Sequence, residues 1–442
     1  MWIKLAQLLL GLSLLIILHE AGHFIPAKFF KTRVEKFYLF FDAWGKKLFS
    51  FQYKGTEYGI GWLPLGGYVK ISGMVDESMD KETMAQEPKP WEFRSKPAWQ
   101  RLIILTGGVI VNFVLGYLIF VGTLFHYGDD YLTMDSLKWG IQTNEAGLQM
   151  GLQNGDKIIS VNGKKIDNFQ EAALEITLGQ DGKIVVDRNG EEVILNITEE
   201  AITKLVETRG YASLVAPRMP YIVGEFSENS VAKAAGLQVG DSLVAFNGHP
   251  MSFFDEYKDS IPKYKGKLIS LLVYRNGTPW DYNITVSDSG HLGIFLDPNI
   301  SRFYDIKHKD FTLAEAAVGA VGSTWDRLSG YVRQFKLIFN TNTGAYKEVG
   351  GFKTIMDQYS PTWDWQRFWE FTAFLSLMLG FLNILPIPAL DGGHVMFVLV
   401  EMITGRQPST KFLEYAQMIG FFLLLALLIF ANGQDIIRAF AD

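Results

Sequence analysis

Apolar residues in this 442-residue chain are gathered into blocks. The first runs from Leu5 to Leu18, where Gln7 and Ser13 are the only polar side chains, and continues through Phe24 and Ile25. At a rise of about 1.5 Å per residue it is long enough to span bilayer hydrocarbon as a helix, and Pro26 should end or kink it. A second block, Ala98 to His126, is broken between Leu102 and Phe125 only by Thr106, Asn112, Tyr117, Thr123 and glycines. Phe368 to Leu385 and Phe412 to Ala431 form a third and a fourth. Between the first two blocks the period falls to two. Phe49, Phe51 and Tyr53 alternate with polar partners, Lys54-Gly55 reads as a turn, and Tyr58, Ile60 and Trp62 resume the alternation, which predicts a hairpin. Leu65 to Ile71 reads as a further strand, and the charged, proline-punctuated stretch Met74 to Pro97 as a loop. The aromatic surface on this sheet suits a hairpin that dips into a bilayer or packs on the helices, with a small cytosolic sheet as the alternative.

Residues 127 to about 300 are polar enough for water and contain a repeat. Gly151-Leu152-Gln153-Asn154-Gly155-Asp156 and its sequel through Asn162-Gly163 align with Gly236-Leu237-Gln238-Val239-Gly240-Asp241 through Asn247-Gly248 at an offset of 85, and Arg188-Asn189-Gly190 matches Arg275-Asn276-Gly277 two residues out of phase. Two copies of one small β-rich domain are implied, at 127–215 and 216–300, with glycines and Asp marking turns. The pattern GLxxGDxIxxxNG resembles bacterial PDZ domains, which bind an extended peptide or a C-terminus at a sheet edge. The stretch Tyr221 to Phe226 sits where such domains carry the peptide-binding strand, so a ligand is expected at the second copy more than at the first; a spacer or size filter is the alternative for both. Downstream, Thr312-Leu313-Ala314-Glu315 is a capping box, and Trp325, Leu328, Val332, Phe335 and Phe339 follow at helical spacing, which predicts an amphipathic helix in a 301–367 linker. Asn340 to Pro361 reads as looped.

Composition sharpens the class. The chain is 48% hydrophobic and 20% charged, so it is a multi-domain membrane protein carrying soluble domains, and its formal charge of −6 argues against a nucleic-acid partner. It has no cysteine, which removes disulfides and thiolate chemistry. The first block lacks a small-residue cleavage site and carries His-Glu, so it reads as an uncleaved membrane helix.

That His-Glu belongs to His19-Glu20-Ala21-Gly22-His23. On a helix, i and i+4 lie on one face, so His19 and His23 can share a metal, and Glu20 is placed to take a proton from an activated water. A chance HExxH, or a helix end where these residues meet headgroups, is the alternative. In Asn383-Ile384-Leu385-Pro386-Ile387-Pro388-Ala389-Leu390-Asp391-Gly392-Gly393-His394, two prolines and two glycines open the backbone within apolar sequence, a state that survives at membrane depth only around a cavity or inside protein. Asp391 is either the N-cap of the next helix or a third metal ligand beside the two histidines. His394 would close the open coordination position and is left out. Asn112 at membrane depth needs a partner, either an interhelical hydrogen bond or the substrate.

Together, HEAGH, the GTEYGIGWLPLGGYVKISG stretch, the tandem PDZ-like copies and NILPIPALDGGH resemble, in order and over nearly the whole chain, the site-2 protease family of intramembrane metalloproteases, of the bacterial regulator-of-sigma-E type. The resemblance implies a four-helix transmembrane α-bundle: two helices and a re-entrant β-hairpin (about 35–72) in 1–126, and two more in 368–442. It implies Zn2+ held by His19, His23 and Asp391, with Glu20 as base. Asn383, Pro386 and Pro388, with the strand around Gly67 and Tyr68, would hold the substrate in extended form. Substrates would be single-span membrane proteins such as anti-sigma factors, already cut outside the membrane. The chain departs from the family's text at Gly107-Gly108 and at Gly350-Gly351-Phe352, where Gly-Pro is usual, and at Phe41 to Gly45. Independently, Lys28, Lys31, Arg33, Lys36, Arg94, Lys96 and Arg101 crowd the first loop, whereas the N-terminal side offers Lys4 alone, so the positive-inside rule puts this loop in the cytoplasm. Four spans then leave both termini and both PDZ-like copies outside a bacterial inner membrane, with HExxH toward the cytoplasmic side. A non-catalytic membrane adaptor with a structural His pair is the competing function.

Overall fold

The computed structural model describes residues 1–64, 66–74, 87–179 and 181–441, so half of the expected 74–97 loop and Leu65 of the expected strand lie outside the described residues. Two compact units emerge: Met1–Gly128 with Asp310–Phe335 and Lys347–Asp442, and Asp129–Lys309 with Lys336–Tyr346.

In the first unit, helix α1 (Trp2–Phe29) leads to strands β1 (Val34–Leu39), β2 (Lys47–Tyr53), β3 (Thr56–Gly61) and β4 (Tyr68–Ile71), then to α2 (Ala98–Tyr127). α1 continues one turn past Pro26 before it ends. The expected hairpin is β2–β3, antiparallel across Lys54-Gly55. The sheet order is β2-β3-β1-β4, with β1 parallel to β3 and antiparallel to β4. Strand β1 was not separable by sequence: only Val34 and Tyr38 of its six residues are buried, too few to show a period, yet it is the strand that joins the hairpin to β4.

Returning from the second unit, the chain forms α3 (Leu313–Phe339), α4 (Phe352–Asp357), α5 (Trp365–Ile384), α6 (Asp391–Thr404) and α7 (Thr410–Ala441). The capping box at the head of α3 closes both ways: Glu315 N–H donates to Thr312 Oγ1 at 3.3 Å, and Thr312 N–H donates to Glu315 Oε2 at 2.9 Å. Helix α4 was expected as loop. Its start is held from far along the chain, because the Asp435 carboxylate on α7 accepts from the N–H groups of Gly351, Lys353 and Thr354 at 3.0–3.2 Å, while Ile355 and Met356 pack against Leu8, Tyr359 and Phe368. Among the described residues α1, α2 and α7 are the helices long and apolar enough to cross a membrane; α5, the expected third span, carries Arg367 and Glu370 near one end and Asn383 at the other, which lowers its mean hydropathy. Helix α2 is central to the unit and packs against α1, α5 and α6.

The second unit holds the two β-rich copies. In the first, strands 191–196, 183–188, 157–161 and 164–165 lie in that order; in the second, 278–285, 268–275, 242–246 and 249–250 repeat it. The shared Arg-Asn-Gly is the tight turn of the long hairpin, with Asn189 and Asn276 at φ 56° and 50° followed by Gly190 and Gly277 at 90° and 80°. The Arg at each turn reaches back to the Asp of each Gly-Asp. Arg188 donates through Nε and Nη2 to Asp156 at 2.8 Å each, and Arg275 to Asp241 at 2.7 Å each. The two motifs therefore keep company because they form one ion pair, and the phase slip between them is absorbed by the strands.

Asp241 is 0% exposed, whereas the Arg275 side chain keeps 18% of its surface and can turn to water. Removing the cation is therefore worse than removing the anion. Arg275→Met should destabilise the second copy by about 3–5 kcal/mol, as expected when a buried charge loses its partner. Asp241→Asn should cost clearly less. Hydrogen exchange of the Leu268–Arg275 strand in the full chain would check this, and equal protection in the two variants would contradict the assignment.

Candidate metal centre

Helix α1 places His19 and His23 one turn apart, with their rings edge to face at a centroid separation of 4.9 Å and their Nε2 atoms 3.3 Å apart. The third group arrives from α6. After α5 ends at Ile384 the backbone opens through Leu385–Leu390, passing a left-handed Ala389 (φ 75°), a conformation an alanine adopts only under surrounding constraint. Leu390 is the N-cap, and Asp391 is the first helical residue. Its carboxylate turns instead to the imidazoles, with Oδ2 at 3.3 Å from His19 Nε2 and 3.4 Å from His23 Nε2. Oδ2 is buried and has no hydrogen-bond partner.

The three donor atoms form a nearly equilateral triangle. Donors about 2.0–2.1 Å from a tetrahedral cation stand about 3.3–3.4 Å from one another, so the donor set and its spacing fit such a cation with one coordination position left open. Among the described residues this is the cluster able to hold a metal. His394 is not part of it; its ring lies against Phe397.

Helix α2 backs the cluster. Gly22 meets Gly107 so closely that a Cβ on Gly22 would lie 2.4 Å from the Gly107 carbonyl oxygen, and a Cβ on Gly108 would lie 2.3 Å from His23 Nε2 and 2.7 Å from His19 Cε1. These glycines make a notch into which the imidazoles fit. Beside it, His23 Nδ1–H donates to the Ile104 carbonyl at 2.8 Å, which fixes the tautomer and leaves the Nε2 lone pair facing Asp391. Asn112 lies 3.0 Å from His19 Nδ1, so its partner is interhelical.

Glu20 is half-buried next to the pair, with the Val69 backbone of β4 beside its carboxylate. Gly67 lies against the same helix face: a Cβ there would meet Ile16 Cγ2 at 2.4 Å and Glu20 Cγ at 3.7 Å. Asn383, in the last turn of α5, sets Nδ2 3.5 Å from His19 Nε2. Thus His19, Glu20, His23, Asn383 and Asp391 converge with the Gly67 backbone. Tyr68 does not share this: its hydroxyl donates to Asp42 Oδ1 at 2.8 Å and its ring stacks on Tyr38 and Phe41, so the side chain serves the sheet. Pro386 and Pro388 shape the opened linker, with Pro388 pressed against Gly393 and Gly420, where any side chain would collide with it. Sequence reasoning missed the notch and the Ile104 carbonyl. The available signal was Gly107-Gly108 in an apolar helix facing the glycine of HEAGH.

The sequence profile described as peptidase family M50 matches residues 7–427. A Neisseria meningitidis protein named "Putative zinc metalloprotease" is 29% identical over 98% of this chain and 99% of its own length. The regulator of sigma-E protease of Escherichia coli is 27% identical over 98% of both chains, and that of Haemophilus influenzae 26% identical over 98% and 99%.

The notch gives a direct expectation. Gly108→Ala places a methyl group where the His23 ring now lies, so the imidazoles must retreat by about 1 Å and metal affinity should fall about 10–100-fold, as when a ligand loses its support. Gly122→Ala, on the same helix with open space around it, should leave affinity unchanged. Metal content after dialysis of the two variants measures the difference.

Proposed function

Because this chain belongs to peptidase family M50, we propose that it is an intramembrane zinc endopeptidase that cuts the transmembrane segment of single-span membrane proteins, anti-sigma factors among them, after a first cut outside the membrane. The observation that carries this reading is a His-His-Asp triangle with a free carboxylate beside it, built on helices two of which are apolar enough to cross a bilayer.

His19, His23 and Asp391 are the residues that would hold zinc, which when bound supplies Lewis acidity to a water and to the scissile carbonyl. Glu20 takes the proton from the attacking water and returns it to the leaving amine. The Asn383 carboxamide is a donor within reach of the carbonyl oxygen as charge grows on it. A helical substrate hides its peptide bonds, so it must unwind before it is cut. Strand β4 lies at the edge of its sheet beside Glu20, and it can pair with the freed backbone of an extended substrate, steered by Gly67 and by the Pro386–Pro388 linker.

The positive charges of the first loop favour a cytoplasmic loop in a bacterial cell, with α5 as the third of four spans and both termini outside. The two β-rich copies are then PDZ-like domains on the outer side, and the strand Val223–Phe226 of the second is where a peptide or C-terminus would bind. Around the bundle, outward apolar residues such as Ile419, Phe422 and Ile429 of α7 face lipid.

Glu20→Gln should lower cleavage of a model transmembrane substrate by about 10²–10⁴-fold, the usual worth of a general base, while bound zinc stays at the wild-type level; turnover within tenfold of wild type would remove Glu20 from the role. The absence of cysteine makes orientation equally accessible. A single cysteine at Lys31 should resist a membrane-impermeant maleimide in intact spheroplasts, and one at Glu192 should react. The reverse pattern would overturn the orientation.

A further inference from the structure

The two metal-binding imidazoles are supported unequally. His23 Nδ1 has a partner that can act only as acceptor, the Ile104 carbonyl, and its ring is thereby committed to offering Nε2. Eight residues along α2 the corresponding place beside His19 is taken by a carboxamide. Asn112 is 0% exposed, its Nδ2 lies 3.0 Å from His19 Nδ1, and its Oδ1 is buried with no hydrogen-bond partner. A carboxamide turned half a revolution about Cβ–Cγ exchanges the two ends, which brings the unpaired oxygen to His19 Nδ1. In that orientation Nδ1–H donates to Oδ1, and Nε2 is left with its lone pair toward Asp391 Oδ2 at 3.3 Å. In the other orientation the amide donates to Nδ1, the ring proton moves to Nε2, and His19 cannot bind a cation. The residue is also well anchored: Ser376 Oγ on α5 donates to the Asn112 backbone carbonyl at 2.8 Å, and Gly380 on α5 leaves space beside its Cβ.

We infer that Asn112 is a positioning residue for the metal: its carboxamide oxygen accepts from His19 Nδ1–H, selects the tautomer that binds through Nε2, and holds that ring in the notch of α2. This rests on the reading that His19, His23 and Asp391 hold zinc. One helix would then set both histidines, through a main-chain carbonyl at Ile104 and a side chain at Asn112, with Gly108 between them making room. Partners of this kind typically change metal affinity 10–100-fold without touching the ion.

The test measures zinc affinity of the detergent-purified full chain by competition with a chromogenic chelator, alongside the visible absorption of the cobalt-loaded form. Asn112→Leu keeps the volume and removes the acceptor, and it should weaken zinc 10–100-fold and shift the cobalt bands, with thermal unfolding of the metal-free protein unchanged. Asn112→Asp keeps an acceptor and should stay within about threefold of wild type, and it decides the question if the leucine variant does not fold. Ser376→Ala, which loosens the same stretch of α2 without reaching His19, should leave affinity and cobalt spectrum as they are. Wild-type affinity in Asn112→Leu, equal loss in the leucine and aspartate variants, or equal loss in Ser376→Ala would each overturn the assignment. A wild type that takes up no zinc under zinc-replete conditions would instead overturn the metal site itself, and this inference with it.

Discussion

Polar groups set among apolar helices must satisfy one another, and this requirement governs the membrane unit. A carboxylate taken out of water among apolar helices is costly, so Asp391 can sit there only if something answers its charge. The two imidazoles of α1, and the cation they can share with Asp391, provide that answer. Meeting this demand needs backbones to approach more closely than side chains allow, hence glycine at 22, 107 and 108 where α1 and α2 touch, and at 392 and 393 where α6 folds back on the opened linker. The same logic recurs at the other end of α6, where Glu401 is paired with Arg101 at the start of α2. Helix α6 is thus fastened to α2 at its far end while its first residue is presented to the histidines.

How much of this was legible in the sequence depended on distance along the chain. His19 and His23 were readable because a helix converts four residues into one face. Asp391 was readable because two prolines and two glycines have no business in an apolar span unless the backbone opens there. The tandem copies declared themselves through turn chemistry, which is local. What stayed hidden was support arriving from elsewhere. Ile104 contributes a carbonyl that any residue would supply, Asp435 caps α4 from about 80 residues away, and β1 is buried through only two side chains. Asn112 showed its need for a partner but not which partner. Tyr68 was expected to act through its strand, and its side chain is occupied elsewhere, on Asp42, Tyr38 and Phe41.

The second unit solves a different problem with the same economy. Each copy fixes its turn to its core through one arginine and one buried aspartate, so the two can be alike inside while their surfaces diverge. Between them Arg218 reaches Asp255 and Glu256 and lies over the Phe253 ring, and Trp139 of the first copy packs on Phe253 of the second. The copies are thereby packed directly on one another.

The division of the metal cluster between the first helix and the sixth has a consequence for the moment at which the molecule becomes dangerous to its host. His23 and Asp391 are separated by about 370 residues, which a ribosome working at about 5–20 residues per second needs roughly 20–70 s to add. Throughout that interval the third corner of the triangle is unmade, although α2, which backs the histidines, is already complete. Activity that depends on the complete triangle therefore waits on the order of synthesis, because Asp391 is among the last parts of the chain to be made.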